Sequence, residues 1–144
     1  MDKRDEAQAA LTSIEHARGE LAQRAASPRG YYAVIGAGAA LMVFGCGLDG
    51  WLSWVLIAFG AGVEASGLGW YVRSTGVVAF ATLREQGAWR AWLMIAVLVA
   101  ALVASLALDS LLAAAVGALA VFVAFAVLGP QWDRAWVRSI RAQP

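Results

Sequence analysis

The sequence predicts an all-α integral membrane protein: four transmembrane helices arranged as two antiparallel hairpins, preceded by an amphipathic N-terminal cytoplasmic helix. The chain is 61% hydrophobic and 15% charged, whereas soluble domains average about 45–50% apolar and about 25% charged residues. The apolar residues gather in four stretches, at about 31–48, 51–72, 92–108 and 110–129. Each stretch matches the roughly 17–25 residues that cross a ~30 Å hydrocarbon core. Four such stretches leave no polar faces to cover them, which argues against a soluble bundle.

Residues 1–28 form the first segment, a polar helix and linker that we expect in the cytoplasm. The segment is dense in acids and has no apolar region of the kind that signal peptides carry. A 3–4–3 spacing places four residues on one face of about three helical turns: Leu11, Ile14, Arg18 and Leu21. The helix ends before Pro28, because a proline ring disfavours helical geometry in the preceding residue. This helix pairs either with a partner helix or with the cytoplasmic face of the bundle.

Residues 29–141 form the membrane domain, and their charges predict its orientation. All 11 Lys and Arg lie before the first span, between the second and third, or after the fourth. The two remaining loops carry only Asp49 and Asp109. Cytoplasmic loops are enriched in Lys and Arg, so both termini are predicted on the cytoplasmic side of the cell membrane. Short turns join antiparallel neighbours, and the two similar hairpins reflect either a duplication or the lengths common to any such hairpin.

Two further segments and the tryptophans are predicted to lie at the membrane surface. The segment 73–91 is a cytoplasmic loop or contains a short interfacial helix, and the basic C-terminal segment suits a helix on anionic headgroups. Aromatic side chains gather where membrane meets water, so no aromatic ligand cage is needed to explain the tryptophans. The predicted interface anchors are Trp51 and Trp54 at the outer boundary, and Trp70, Trp92, Trp132 and Trp136 at the inner one.

Small residues are concentrated in the first hairpin. Because they let helix backbones approach closely in lipid, we expect them to be helix-packing positions. The predicted positions are Gly36, Gly38, Ala40, Gly60, Gly62 and Gly67. Their partner is either the other helix of the same hairpin or a second subunit.

Glu64 is the one charged side chain within a predicted span. It lies 13 residues after Trp51, ~20 Å deeper at 1.5 Å per residue and about two-thirds of the way across the core. An unpaired carboxylate there costs about 2.5–3.5 kcal/mol. Protonation would relieve this cost, with the neutral acid bonding a carbonyl or Ser66. A cation from a substrate or subunit, or a water-filled cavity beside residues 36–40, would also relieve it. We therefore predict Glu64 and Ser66 as binding residues, with structural contact between helices as the alternative.

Three function classes find no support in the composition. A net charge of +1 gives no case for nucleic acid. The single Cys46 and single His16 argue against a metal site and exclude an intramolecular disulfide. The stretch GAGVEASG lacks the spacing and preceding strand of a dinucleotide fingerprint. We therefore predict a protein that is not an enzyme and that uses no cofactor or metal.

Four short helices, one deep membrane acid and a predicted oligomer resemble the small multidrug resistance exporters in architecture. That resemblance implies a glutamate that alternates between protons and a cationic drug. In those exporters the glutamate lies in the first span, whereas Glu64 lies in the second, and the N-terminal helix and long middle loop also differ. The Ala-, Val- and Arg-rich composition, with RGYY opening the first span, resembles that of small four-span membrane proteins of high-GC actinobacteria. The second resemblance is one of composition and implies no activity.

Two functions remain open at this point. Glycine faces, an amphipathic N-terminal helix and few catalytic groups favour an oligomeric, accessory or regulatory subunit of a membrane complex. Its predicted partners are the lipid bilayer and either copies of itself or other membrane subunits. The alternative is proton-coupled transport of a small or lipophilic cation through Glu64. Stoichiometry separates the two, because a transporter would act as a homo-oligomer and an accessory subunit would need a different chain.

Overall fold

The computed structural model describes residues 27–76 and 88–142, and seven isolated positions before them: 6, 8, 9, 12, 13, 19 and 20. Four helices occupy the two long described ranges: α1 (Tyr31–Cys46), α2 (Trp51–Thr75), α3 (Ala88–Ala107) and α4 (Leu111–Ala142). No strand occurs in the described residues. The all-α class is therefore confirmed. The predicted amphipathic stripe of the N-terminal helix, and any interfacial helix within 77–87, lie outside the described residues.

Three of the helices are long and apolar enough to cross a membrane. They are α2, α3 and the first 28 residues of α4, Leu111–Arg138. The shorter α1 has 16 residues and is thus ~24 Å long at 1.5 Å per residue, less than the ~30 Å of a hydrocarbon core. The structure therefore supports a membrane protein with three candidate spans, and the crossing by α1 stays a prediction.

The central helix of the bundle is α1. It packs against α2 on one side and against α4 on the other, and α3 packs against α4. The core lies where α1, α3 and α4 meet, and it includes Ala39, Ala101 and the fully buried Val43 and Val121. Because α2 packs mainly on α1, most of its surface is exposed.

The turn between α1 and α2 is held by backbone and side-chain hydrogen bonds. The Ser53 hydroxyl on α2 donates to the Gly45 carbonyl in the last turn of α1, at 2.7 Å. The same carbonyl, in a turn whose carbonyls lack partners within the helix, also accepts the Leu48 backbone N–H at 3.1 Å. Gly50 precedes α2 with φ 79° and ψ −159°, a conformation essentially reserved for glycine. The second turn contains Asp109 at φ 42°, where Asp is tolerated better than most side chains.

The last helix extends well beyond its predicted span. The sequence predicts a span ending near residue 129 followed by a separate basic helix, whereas α4 continues through Pro130 to Ala142. A proline inside a helix removes one backbone hydrogen bond, which membrane helices tolerate because neighbours satisfy the freed groups. The predicted loop 73–91 is likewise helical at both ends, since α2 ends at Thr75 and α3 begins at Ala88.

Candidate functional site

The backbones of α1 and α2 approach each other closely where the two helices cross. A Cβ atom built on Gly38 would lie 2.8 Å from the Gly60 carbonyl oxygen, and one built on Gly60 would lie 2.6 Å from the Gly38 carbonyl oxygen. The two backbones therefore touch, and only glycine fits at either position. We name this contact, formed by Gly38 and Gly60, the glycine crossing.

Glu64 lies at the glycine crossing. It follows Gly60 by one helical turn, and its Cγ atom would be 2.7 Å from a Cβ on Gly38. The side chain is half-buried, and no hydrogen bond or ion pair engages its carboxylate within the described part of the chain. The structure thus places the side chain against α1 and packs Gly38 against its stem. A ligand could reach the carboxylate only from the remaining sides.

The other predicted packing positions do not share one partner, because one contacts α1, one contacts α4 and one faces open space. Gly67 lies against Ile35, whose Cδ1 atom would be 2.9 Å from an added Cβ. Gly36 faces α4 instead, because a Cβ there would be 2.8 Å from the Cβ of Phe125. Ala40 is half-buried on α1. Gly62 would meet no atom within 4 Å, so it takes part in no helix crossing among the described residues.

The structure does not bring Ser66 to Glu64. Residues two apart on a helix do not face each other, and Ser66 is exposed on the side of α2 that points away from α1. Its hydroxyl makes no hydrogen bond within the described chain. Glu64 and Ser66 therefore do not form one site in a single copy of the chain.

Three tyrosines join the start of α1 to the end of α2. The ring centroids of Tyr31 and Tyr71 are 5.1 Å apart, and those of Tyr31 and Tyr32 are also 5.1 Å apart, in an edge-to-face arrangement. Tyr71 is buried and lies two turns beyond Glu64 on the same face of α2. This cluster was not predicted, because tyrosines near a span end are ordinarily interface residues.

A second polar feature lies where the chain enters α1. The Asp133 carboxylate on α4 accepts hydrogen bonds from the Ser27 hydroxyl at 2.7 Å and from the Ser27 backbone N–H at 3.2 Å. The Tyr32 hydroxyl donates to the same carboxylate at 3.5 Å. Beside these residues is a half-open cleft of about 390 Å³, lined by residues 27–30, 32 and 33 and by α4. Asp133 was missed in the sequence, although it is the one acid in the basic C-terminal segment.

The predicted interface anchors lie near the helix ends. Trp51 and Trp54 are exposed on the first turn of α2, and Trp70 and Trp92 are exposed near the opposite end of the bundle. Both remaining anchors, Trp132 and Trp136, are half-buried on the last turns of α4.

Within the described residues, no three His, Cys, Asp or Glu side chains lie close enough together to hold a metal ion. Comparison with family models, with curated proteins and with solved structures found no match to this chain.

Proposed function

We propose that this chain is a four-span membrane protein that acts as a subunit of an oligomer or of a larger membrane complex, without catalytic chemistry of its own. Its termini lie on the cytoplasmic side of the cell membrane, since every Lys and Arg lies on that side of the proposed spans. In this arrangement α1 also crosses the membrane, which brings the number of spans to four. Its length is ~6 Å short of the core, and a short span is accommodated by local thinning of the bilayer.

The observation that carries the proposal is the outer face of α2. Ala58, Gly62 and Ser66 recur every four residues on this face, and all three are exposed. We name these three residues the small-residue face. Recurrence of small residues at four-residue intervals is typical of helix–helix interfaces in membranes. A Cβ atom built on Gly62 would meet no atom within 4 Å, so this face has room for a neighbouring helix.

Ser66 strengthens the proposal because of its depth. It lies 15 residues after Trp51, which is ~22 Å along the helix and thus within a ~30 Å core. Its hydroxyl has no hydrogen-bond partner in the described chain, and lipid tails supply none. A neighbouring helix supplies an acceptor, and interhelical bonds from Ser are worth about 0.6 kcal/mol on average in membrane proteins.

Native mass spectrometry of protein released gently from its own membranes tests this proposal. We expect wild type to retain either further copies of itself or a second polypeptide. Gly62→Leu should release that partner, because the added side chain separates the two helices at the small-residue face. Ala120→Leu is the matched control, since Ala120 is an exposed alanine within the apolar part of α4.

Two results would contradict the proposal. Wild type recovered as a bare monomer from native membranes would mean that no stable partner exists. Retention of the partner by Gly62→Leu would mean that assembly does not use the small-residue face. If Ala120→Leu also releases the partner, then the effect of Gly62→Leu is not specific to α2.

Proton-coupled transport of a small or lipophilic cation is the second candidate. The supporting observation is Glu64, a half-buried acid without a hydrogen-bond or ion-pair partner in the described chain. Ionisable residues at such a depth are rare and often mark ion pathways or proton relays. Close packing at Gly38 restricts access from α1, so a cation would approach from the exposed sides of α2.

Glu64→Gln separates the two candidates. The transport hypothesis predicts unchanged assembly and loss of pH-dependent binding of a lipophilic phosphonium cation, measured by equilibrium dialysis in detergent. The subunit hypothesis predicts no such binding in wild type. A second polypeptide that is bound to wild type and lost from Glu64→Gln would indicate that Glu64 pairs across a subunit interface, and it would exclude the transport role.

A further inference from the structure

The half-open cleft beside the first turn of α1 has no role in the proposed function. Its volume is about 390 Å³, toward the lower end of the roughly 300–1,000 Å³ typical of small-molecule sites. It lies at the cytoplasmic end of the bundle, where α1 begins and the apolar part of α4 ends. The cleft therefore opens at the level of the lipid headgroups.

The polar part of the cleft carries an excess of positive charge. Arg29 and Arg134 both line it and are exposed, and Asp133 is the acid beside them. The Asp133 oxygens accept hydrogen bonds from Ser27, and no ion pair holds either guanidinium within the described residues. Two guanidinium groups against one carboxylate leave one net positive charge. The positive end of the α1 dipole adds to it, because no side chain caps that end of the helix.

The remaining part of the cleft is apolar. Ala33, Ala126 and Pro130 form it, and all three are half-buried. Ala33 and Ala126 lie deeper in the proposed hydrocarbon core than the two arginines. Arg29 precedes α1, which then enters the core, and Arg134 follows the apolar part of α4, which leaves the core. The basic part of the cleft thus lies at the level of a phospholipid headgroup, and the apolar part lies at the level where the acyl chains begin.

We propose that this cleft binds an anionic phospholipid. Arg29 and Arg134 hold the phosphate, since guanidinium groups form strong, charge-assisted hydrogen bonds to phosphate oxygens. Ala33 and Ala126 contact the glycerol and the first acyl carbons. Basic pockets on the cytoplasmic side of membrane helices are suited to acidic headgroups. A zwitterionic headgroup fits less well, because its ammonium group meets the excess positive charge. This inference rests on the proposed membrane location of the bundle, and it does not depend on whether the chain is a subunit of an oligomer.

Lipid binding to the purified full-length chain tests this proposal. The probes are phosphatidylglycerol and phosphatidylcholine with identical acyl chains, titrated into detergent solution and followed by native mass spectrometry. We expect phosphatidylglycerol to bind wild type at least about tenfold more tightly than phosphatidylcholine. Arg29→Gln and Arg134→Gln should each lose about tenfold in affinity for phosphatidylglycerol, roughly the effect of removing one charge-assisted bond.

Two further variants keep the outcome interpretable. Arg73→Gln is the matched control, because Arg73 is exposed at the same end of the bundle, on α2, and it does not line the cleft. We expect it to bind phosphatidylglycerol as wild type does. Ala126→Leu fills the apolar part and leaves every charge in place, so it should weaken binding even if an arginine variant folds poorly.

Three results would overturn the proposal. Equal binding of the two lipids would mean that the headgroup charge is not recognised. An equal loss in Arg73→Gln and Arg29→Gln would mean that lipid responds to total surface charge and not to the cleft. Displacement of the lipid by millimolar inorganic phosphate would mean that the site takes free phosphate, and that its apolar part is not used.

Discussion

Replacement of Gly38 by alanine tests the glycine crossing, one of the contacts between α2 and α1. The added methyl group would lie 2.8 Å from the Gly60 carbonyl oxygen and 3.2 Å from the Glu64 backbone nitrogen. Both are backbone atoms, so rotation of a side chain cannot relieve the overlap. Only the Cγ atom of Glu64, at 2.7 Å, belongs to a movable side chain. The two helices must therefore separate.

The cost follows from the size of that separation. Ordinary contacts begin near 3.4 Å, so moving from 2.8 Å to 3.4 Å requires about 0.6 Å. A gap of 0.5–1 Å already forfeits about a quarter to a half of the dispersion energy of each contact, and overpacking typically costs about 1–3 kcal/mol. Alanine has a greater helix propensity than glycine, and this difference offsets about 1 kcal/mol of the cost. We therefore expect Gly38→Ala to lower the free energy of unfolding by up to about 2 kcal/mol relative to wild type, and by about 1–3 kcal/mol relative to a glycine-to-alanine change that meets no overlap.

Reversible unfolding in mixed micelles, with increasing amounts of a denaturing detergent and far-ultraviolet circular dichroism as the signal, measures this change. Gly69→Ala is the matched control on α2, because a Cβ there meets no atom within 4 Å. We expect the control to be as stable as wild type or more stable. Gly38→Ala and Gly69→Ala of equal stability would refute the close backbone contact at the glycine crossing.

Three further substitutions have expected outcomes. Asp133→Asn should lower the free energy of unfolding by about 1–2 kcal/mol and speed tryptic cleavage after Arg29. The reason is that it weakens the charge-assisted hydrogen bonds from Ser27, and such bonds are worth about 1.5–3 kcal/mol. An unchanged rate of cleavage would contradict this role of Asp133. Ser105→Ala should leave the free energy of unfolding unchanged or raise it by up to about 1 kcal/mol, since the hydroxyl is buried without a hydrogen-bond partner in the described chain. A thermal melt measures this change, and a clear loss of stability would contradict the expectation. Ser53→Ala should cost about 1 kcal/mol in the same melt, because a hydrogen bond to the last turn of α1 is lost; an unchanged melting temperature would contradict it.

The all-α class and the presence of long apolar helices could be predicted from the sequence, because both depend on composition along the chain. The bounds of α2 and α3 agree with their predicted spans to within a few residues. The end of α4 could not be predicted, because Pro130 and the polar residues after it read as a boundary. Whether a helix continues through proline depends on what surrounds the freed carbonyl, and sequence spacing does not contain that information.

Glu64 and the glycines around it were recognised from the sequence by residue type and depth, yet their partners were not. A helix of known sequence has an unknown rotation about its axis, so whether Glu64 faced lipid, a cavity or a neighbour stayed open. Tertiary structure decided this by bringing Gly38 of α1 against Gly60 and Glu64 of α2. Asp133 illustrates the same limit over a longer distance. Its contact with Ser27 joins residues 106 positions apart, and only the packing of α1 against α4 brings them together.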